Sequence, residues 1–421
     1  MGGTVTDLVI RDVAVLDCTG RDPEGRHDVI VRDGRIARIE GAGQAAAGSG
    51  AASIDGSGLT LMPGLTDAHV HFALLGDDGG HGNDPWINHV LKVAHYIDGA
   101  LDEGFTTVRD AGGLEPAWAR AVADGVIRGP RILPSGSVLS QTGGHGDQRQ
   151  AHEALHRTSN IPGLVAGTEI VDGPDEVRRA AREQLRRGAT QIKLLASGGI
   201  ASPTDPFDSV QFSHAEIAAA VEAAAGWDTY VLAHCHTSPA IDVALAAGVR
   251  SIEHASLLTE ATAARMAERG AYMVPTMQTL EMLAAHPERW KLSPAKIARL
   301  REVADACRDS VRIADAAGVR IASGSDVVGP WQGRRGEEIV FKSAVLGPHK
   351  AVISATRTNA ELFRLEREIG TVEEGKVADL ILVDGAPLDQ VELLADPACL
   401  PVVIQAGSVV KDSSGRVRSA A

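Results

Sequence analysis

The chain has 421 residues, of which 44% are hydrophobic and 23% charged, and its formal net charge is −14. These values are typical of a globular protein with more than one core. The acidic balance argues against a nucleic-acid partner or attraction to anionic lipid, and no apolar stretch approaches the ~20 residues of a membrane helix. The four scattered cysteines form no CxxC motif, which favours reduced thiols and a cytoplasmic location over a disulfide framework.

Both ends of the chain are predicted to form strands. The segment HDVIVRDGRIARIEG contains two alternating apolar runs joined by Asp33 and Gly34, which is a strong hairpin signal. The C-terminal segments GKVADLILVDG and PVVIQAGSVVKD have the same character. Two short β segments cannot each enclose a core, so we predict that residues 1–58 and 366–421 pair into one small β-sandwich domain.

Residues 59–365 repeat a different unit, in which a helical pattern ends in glycine and an apolar run follows. Glycine enters the left-handed region without steric cost and is therefore a common helix stop. The glycines at these positions are Gly104, Gly188, Gly248, Gly270 and Gly318. Eight strand-like runs alternate with helical stretches, which predicts an α/β fold of the (β/α)₈ TIM-barrel type. A doubly wound open sheet is the alternative architecture.

The helix predicted before Gly104 has an apolar face defined by residue spacing. The residues on that face are Ile87, Val90, Leu91, Ala94 and Leu101. We expect this face to pack on the barrel.

Functional groups in such barrels gather at the C-terminal ends of the strands. Most of the predicted strands end in charged or imidazole side chains, and the third leads into the loop SQTGGHGD. These residues are His69, His71, Arg109, Asp110, His145, Lys193, His234, His236, Glu253, His254 and Asp326.

Four of these histidines and one aspartate predict a metal site. Residues i and i+2 of a strand point to the same side, so His69 and His71 should both face the barrel mouth. A lone histidine near a strand end is usually only a satisfied polar residue. Four imidazoles and a carboxylate at the same end of one barrel indicate a site for Zn²⁺ or a similar borderline metal.

Lys193 does not fit a simple cation site, because burial beside Ile192 and Leu194 disfavours an ammonium next to a metal. Burial lowers the pKa of a lysine and makes its neutral amine accessible. Reaction of that amine with CO₂ would give a carbamate, an anion able to bridge two metals. The alternative is that Lys193 pairs with a nearby carboxylate.

The motifs PGLTDAHVH, AHCHT, IEHAS and GSD, together with the buried lysine, resemble the amidohydrolase superfamily of the binuclear, carbamylated-lysine type. The tail GTVEEGKVADLILVDG resembles the closing segment of that superfamily. The loops SQTGGHGD and IKLLASGG are similar to the imidazolonepropionase-related branch. Within it they resemble prolidase-like dipeptidases and N-acyl amino acid hydrolases of the ochratoxinase type.

The resemblance implies two divalent metal ions, with zinc expected, and a metal-bridging hydroxide that attacks an amide. The implied ligands are His69, His71 and Asp326 for the first metal, His234 and His254 for the second, and carbamylated Lys193 as the bridge. Asp326 would also take the proton of the attacking hydroxide and return it to the departing amine.

Three residues are candidates for substrate contacts. His145 lies in the Gly-rich loop, and His236 stands where dipeptidase-like relatives commonly have tyrosine. Both are also candidate catalytic residues, because His236 could donate to the tetrahedral oxyanion or reach a substrate carboxylate. Arg109 could bind a substrate carboxylate through its bidentate fork. His236 could instead be only a neighbour of the metal ligands, and Arg109 could form an internal ion pair with Asp110. The long loops over residues 141–172 and 198–212 are expected to set substrate choice.

These features predict a homo-oligomeric enzyme that releases an amino acid from a dipeptide or N-acyl amino acid. A cyclic amide, carbamate or urea cleaved at the same metal centre is the alternative substrate class. A non-catalytic barrel used as an assembly module is the alternative from another class of protein.

Overall fold

The structure is a computed structural model that describes residues 7–20, 25–45, 51–76, 85–150, 152–153, 164–200, 202, 205–289 and 292–418. Parts of the two predicted substrate loops, residues 151, 154–163, 201, 203 and 204, lie outside the described residues.

The N-terminal part of the chain is a run of β structure. Its strands are β1 (Leu8–Val15), β2 (Arg26–Arg32), β3 (Arg35–Gly41), β4 (Ala52–Asp55) and β5 (Leu59–Pro63). The predicted hairpin joins β2 to β3, and Asp33 and Gly34 at its turn have positive φ angles of 49° and 75°. Two consecutive positive φ values are the signature of the tight turn whose twist matches paired strands.

The central part alternates strands with helices. Its strands are β6 (Leu65–Val70), β7 (Phe105–Asp110), β8 (Arg131–Pro134), β9 (Val138–Ser140), β10 (Thr168–Ile170), β11 (Ile192–Leu195), β12 (Val231–Thr237), β13 (Ser251–Leu257), β14 (Tyr272–Val274) and β15 (Arg320–Ile321). Its helices are α1 (Trp86–Asp102), α2 (Pro116–Ala123), α3 (Pro174–Arg187), α4 (His214–Ala225), α5 (Ser238–Ala246), α6 (Glu260–Arg269), α7 (Met277–Ala285), α8 (Pro294–Ala316), α9 (Glu337–Leu346), α10 (Pro348–Ile353) and α11 (Asn359–Leu362).

The C-terminal part returns to β structure. Its strands are β16 (Leu380–Asp384), β17 (Val402–Gln405), β18 (Ser408–Asp412) and β19 (Val417–Arg418). Within the described ranges they join β1–β5 in one nine-stranded sheet, in which β16 pairs antiparallel with β5. Both ends of the chain therefore build one β unit, whose core includes Ile10, Val29 and Leu382.

The barrel consists of two parallel sheets that close on each other. One sheet has the order β6-β7-β8 and the other β10-β9-β11-β12-β13-β14-β15. The Thr190 amide donates to the Pro134 carbonyl at 2.8 Å and connects the end of β8 to the segment before β11. On the other side the Ala68 amide donates to the Ser323 carbonyl at 2.7 Å. The predicted fold, a TIM-type barrel with a β domain built from both termini, is confirmed.

The apolar run LTLMPGLTDAHVH is two strands rather than one. Its first part, β5, belongs to the terminal sheet, and its second part, β6, belongs to the barrel. The chain passes between them at Gly64, where a Cβ atom would lie 2.2 Å from Thr106 Oγ1. We propose this glycine, rather than residue 58, as the boundary between the two units.

The predicted apolar face of α1 is correct only in part. Leu101 is fully buried, and Val90 and Ala94 pack against a core cluster, whereas Ile87 and Leu91 are 64% and 60% exposed. Among the described helices, none combines the length and apolar character needed to span a membrane.

Candidate metal centre

Imidazole and carboxylate side chains from β6, β12, β13 and the segment after β15 converge at one end of the barrel. Among the described residues, two groups have ligand atoms within 4.8 Å of one another. The first group consists of His69, His71 and Asp326, and the second of His234, His236 and His254.

The first group places three hydrogen-bond acceptors together. His69 is on β6 and His71 directly follows the end of that strand, and their Nε2 atoms lie 3.2 Å from each other. Asp326 Oδ1 lies 3.5 Å from His69 Nε2 and 3.4 Å from His71 Nε2. The backbone holds this arrangement, because the Asp326 amide donates to the His69 carbonyl at 2.8 Å.

The partners on the far side of these two rings determine which nitrogen carries the proton. His69 Nδ1 donates to Glu253 Oε2 at 2.7 Å, and His71 Nδ1 donates to the Gly112 carbonyl at 2.7 Å. Both partners can only accept, so each neutral ring presents a bare lone pair at Nε2. Two lone pairs and a carboxylate facing one another repel unless a cation lies between them, and the donor set therefore fits a divalent metal.

The second group contains three packed imidazoles. The ring centroid of His234 lies 4.5 Å from that of His254 and 4.6 Å from that of His236. His234 Nε2 donates to the Gly198 carbonyl at 3.2 Å, which leaves its Nδ1 as a lone pair. The Nδ1 atom of His254 lies 2.7 Å from Thr276 Oγ1 and that of His236 lies 3.1 Å from Ser256 Oγ.

An irregular backbone brings His254 into this group. In a regular strand, residues i and i+1 point to opposite faces, so Glu253 and His254 could not both face the barrel interior. His254 has a φ angle of 72°, and the register between β12 and β13 shifts beyond Cys235. Backbone conformations of this kind cost of order 1–3 kcal/mol in non-glycine residues and cluster at functional sites.

Lys193 on β11 lies beside the first group. Its side chain is buried, and Nζ is 3.5 Å from His69 Nε2. Burial lowers the pKa of Lys193 to about 8, against the opposing effect of Glu253 and Asp326. The structure thus brings together all six residues predicted as ligands.

Burial also keeps the imidazoles neutral, as metal ligation requires. It lowers the pKa of His71 to about 4 and holds those of His69, His234 and His254 well below the ordinary value. Burial raises the pKa of Asp326 to about 7, while the Lys193 ammonium opposes this increase.

His145, a predicted substrate contact, lies against the second group. Its ring stacks on His234 with 4.5 Å between centroids, and its Nδ1 is 2.9 Å from Ser202 Oγ. The loop after β11 packs flat against this ring, since a Cβ atom at Gly199 would lie 2.3 Å from His145 Cε1. Burial lowers the pKa of His145 to about 4, although the nearby Asp205 carboxylate opposes this shift.

His236, the other histidine predicted to contact substrate, lies at the edge of the second group. On one side its ring stacks on His254 of the same group with 4.8 Å between centroids, and on the other side it lies 4.8 Å from the half-buried Phe207 ring. Burial lowers the pKa of His236 to about 3, so it is a neutral imidazole. The position suits either a substrate contact or a neighbour of the metal ligands.

The prediction that Arg109 binds a substrate carboxylate is wrong. The residue is fully buried, and its guanidinium pairs with Glu253 at 2.9 Å rather than facing the mouth. The alternative pair with Asp110 is wrong as well. Asp110 accepts from the amides of Phe72 and Gly112 at 3.1 and 2.9 Å, which fixes the turn after β7.

Several supporting residues were not assigned a role from the sequence. They are Asp67, Ser256, Thr276 and Glu253. Asp67 accepts from the His69 amide at 2.9 Å and from Ser325 Oγ at 2.6 Å, and so joins β6 to the segment that contains Asp326. A charged residue inside an otherwise apolar strand was the available signal for Asp67 and Glu253. No signal identified Thr276 or Ser256.

Comparisons with known proteins agree with this geometry. A model described as "Amidohydrolase family" matches residues 60–410. The chain is 35% identical over 368 residues to an ochratoxinase of Aspergillus niger, covering 83% of this chain and 75% of that protein. It is similar to the solved structure of a prolidase complexed with N-methylphosphonate-L-proline (TM-score 0.91, 38% identity, 97% and 100% of the two chains). It is also similar to a Xaa-Pro dipeptidase with bound methionine (TM-score 0.87, 29% identity, 96% and 100% covered).

The chain belongs to the amidohydrolase family. It is a hydrolase that acts on amide bonds, and the resemblance to ochratoxinase and prolidase relatives is confirmed. This result sets aside the non-catalytic assembly module.

Proposed function

We propose that the protein is a binuclear metal-dependent hydrolase that releases an amino acid from a dipeptide or an N-acyl amino acid. The observation that carries the proposal is the convergence of bare Nε2 lone pairs from His69 and His71 with the Asp326 carboxylate, beside a second imidazole group. A pair of bound divalent ions would supply a nucleophile at neutral pH and polarise the scissile carbonyl.

The six predicted ligands divide between the two ions as the resemblance to the family implies. His69, His71 and Asp326 would hold the first, and His234 and His254 would hold the second. Lys193 would bridge them as its carbamate, and its lowered pKa supports the formation of that group. Zinc suits a donor set of imidazole and carboxylate.

Asp326 is placed to move the proton during cleavage. Its Oδ1 faces the first group, while its Oδ2 lies 4.0 Å from His254 Nδ1 in the second group. A carboxylate between the two groups can accept a proton at the attacking side and release it to the departing amine. The same residue would therefore bind metal and act as the general acid and base.

The substrate class is inferred from the relatives and from the wall of the site. The prolidase is complexed with N-methylphosphonate-L-proline and the Xaa-Pro dipeptidase has bound methionine, so both relatives bind a molecule that contains an amino acid. His145 and His236 present neutral imidazoles on the wall beside the second group, where a ring N–H can donate to a carboxylate or a carbonyl oxygen. We assign both to substrate binding.

Kinetics on matched substrates would test this proposal. N-acyl amino acids and dipeptides should be hydrolysed ~10- to 100-fold more efficiently than the same compounds with a C-terminal carboxamide, because a lost hydrogen bond to a charged group costs about 1.5–3 kcal/mol. His145→Gln should narrow that ratio, and His214→Gln, at the start of α4, should leave it unchanged. Equal rates on both series, or a preference for cyclic amides, carbamates or ureas, would contradict the proposed substrate class.

A further inference from the structure

A fully buried ion pair lies directly behind the first group of candidate ligands. We propose that Glu253 is a positioning residue that fixes the ring of His69 and thereby sets the affinity of the first metal site, and that Arg109 compensates the buried charge of Glu253. The inference deepens the proposed function, because it assumes that His69 is a metal ligand.

Glu253 on β13 has every acceptor position occupied. Its Oε2 accepts from His69 Nδ1 at 2.7 Å and from Arg109 Nη2 at 2.9 Å. Its Oε1 accepts from Ser251 Oγ at 2.5 Å and from the same Arg109 nitrogen at 2.9 Å. These hydrogen bonds fix the orientation of the Glu253 carboxylate. The hydrogen bond from His69 Nδ1 to this carboxylate then fixes the orientation of the His69 ring.

Arg109 on β7 connects three strands below the mouth. In addition to Glu253, its Nε donates to the Ala68 carbonyl at 2.6 Å and its Nη1 to Ser251 Oγ at 3.2 Å. Strand β13 is not a neighbour of β6 or β7 in either sheet, so the guanidinium spans the barrel interior. Its Ala68 contact also fixes the backbone immediately before His69.

The two charges have different roles. A carboxylate that accepts from the far nitrogen of a ligand imidazole fixes the tautomer and increases the basicity of the metal-binding nitrogen. The cation offsets the cost of burying that carboxylate, and either charge alone would be uncompensated in a dry interior. Glu253 should therefore govern metal affinity, whereas Arg109 should govern mainly the stability of the fold.

The chain provides a matched control for the effect of burial. Glu338 on α9 is 1% exposed, lies 3.9 Å from Lys342 and accepts from the Gln278 amide at 2.8 Å. It is a buried carboxyl group near a cation, and the hydrogen bond described for its side chain is to a backbone amide rather than to a candidate ligand. Glu338→Gln should therefore change a buried acidic residue without the specific effect on the first site.

The test is a titration of metal-free protein with Co²⁺, followed by absorbance, for wild type, Glu253→Gln, Glu338→Gln and Arg109→Met. Glu253→Gln should weaken one of the two binding steps by ~10- to 100-fold and leave the other within about 3-fold. Glu338→Gln should leave both steps unchanged. Arg109→Met should lower the Tm while both steps stay within a few-fold of wild type.

A second measurement determines the tautomer of His69 in the absence of metal. In ¹⁵N-histidine NMR of the metal-free protein, wild type should show a strongly hydrogen-bonded Nδ1–H for His69 that is weakened in Glu253→Gln. If Glu253→Gln does not fold, the double variant Glu253→Gln with Arg109→Met removes both buried charges. The double variant should fold, and one of its two binding steps should be ~10- to 100-fold weaker than in wild type. Wild-type affinity in both steps with folded Glu253→Gln, or with the double variant, would overturn the inference. A wild-type chain that binds no ions would instead contradict the proposed function.

Discussion

The two halves of the candidate metal centre are held in place by different chemistry. His69 and His71 are fixed by partners that only accept hydrogen bonds, Glu253 and the Gly112 carbonyl. In the second half only His234 has such a partner, the Gly198 carbonyl, whereas His236 and His254 are held by the hydroxyls of Ser256 and Thr276. A hydroxyl can donate or accept, so these rings are free to exchange tautomers, whereas the first pair is committed to one.

The difference suggests a division of labour. The first half includes a carboxylate ligand and has fixed lone pairs, so it should bind its ion more tightly. The second half is made of neutral imidazoles and borders His145 and Phe207, so it can adjust as substrate enters. The predictions below either remove what the two halves share or perturb one half alone.

The largest effect is expected from Asp326→Asn, because this carboxylate faces both halves. Loss of a metal ligand and a proton carrier together should lower kcat/KM by ~1,000-fold or more, since proton transfer alone contributes about 100- to 10,000-fold. The variant should remain folded by circular dichroism. Asp315→Asn, at an exposed pair with Lys350, is the control and should keep wild-type kinetics.

Lys193→Ala should be next in size. Removing the bridge should cost at least ~100-fold in kcat/KM, because the metal pair contributes several kcal/mol of charge stabilisation. Short carboxylic acids such as formate or acetate should restore part of the activity, and activity should rise with their concentration. Absence of rescue in a folded variant that binds two ions would argue against the carbamate.

Thr276→Val tests the second half alone. The substitution keeps the branched shape but removes the hydroxyl beside His254, and losses of ~10- to 100-fold in metal affinity are usual for such partners. Thr276→Ser retains the hydroxyl and is the control. In a Co²⁺ titration only the weaker binding step should move, and a change in the tighter step instead would reverse the proposed division of labour.

The smallest change in the site is expected from Asp67→Asn, which perturbs the support of the first half. The Asp67 carboxylate accepts from the amides of His69 and Ser325 and from the Ser325 hydroxyl. The side-chain amide of an asparagine can accept only through its oxygen and would keep only part of these hydrogen bonds. We therefore expect a loss of about 1–3 kcal/mol in the free energy of unfolding of the metal-free protein. Urea denaturation measures it, and an unchanged midpoint would show that the carboxylate is dispensable.

The sequence was most informative where functional residues follow the two-residue period of a strand. The HxH pair at the end of β6 follows from side-chain alternation alone, and the helix-ending glycines predicted the barrel. His254 was assigned correctly to the cluster, but its position depends on a φ of 72° at a residue that is not glycine. Nothing local in the sequence indicates that conformation.

Long-range pairing was the part that the sequence could not supply. Arg109 was expected at the mouth because of its position near a strand end, yet its partner Glu253 is 144 residues further along the chain. Burial of both side chains makes the pair satisfy each other rather than a substrate. The α1 face was predicted only in part for a similar reason, since spacing defines a stripe but not which of its residues meet the core.

A crystal structure of the zinc-loaded protein, with anomalous data collected at the zinc edge, tests the central claim most directly. The account predicts two peaks about 3.5–4 Å apart. One should lie between His69, His71 and Asp326, the other beside His234 and His254, with a carbamate on Lys193 contacting both. A single peak, or an unmodified Lys193 turned away from two bound ions, would contradict it.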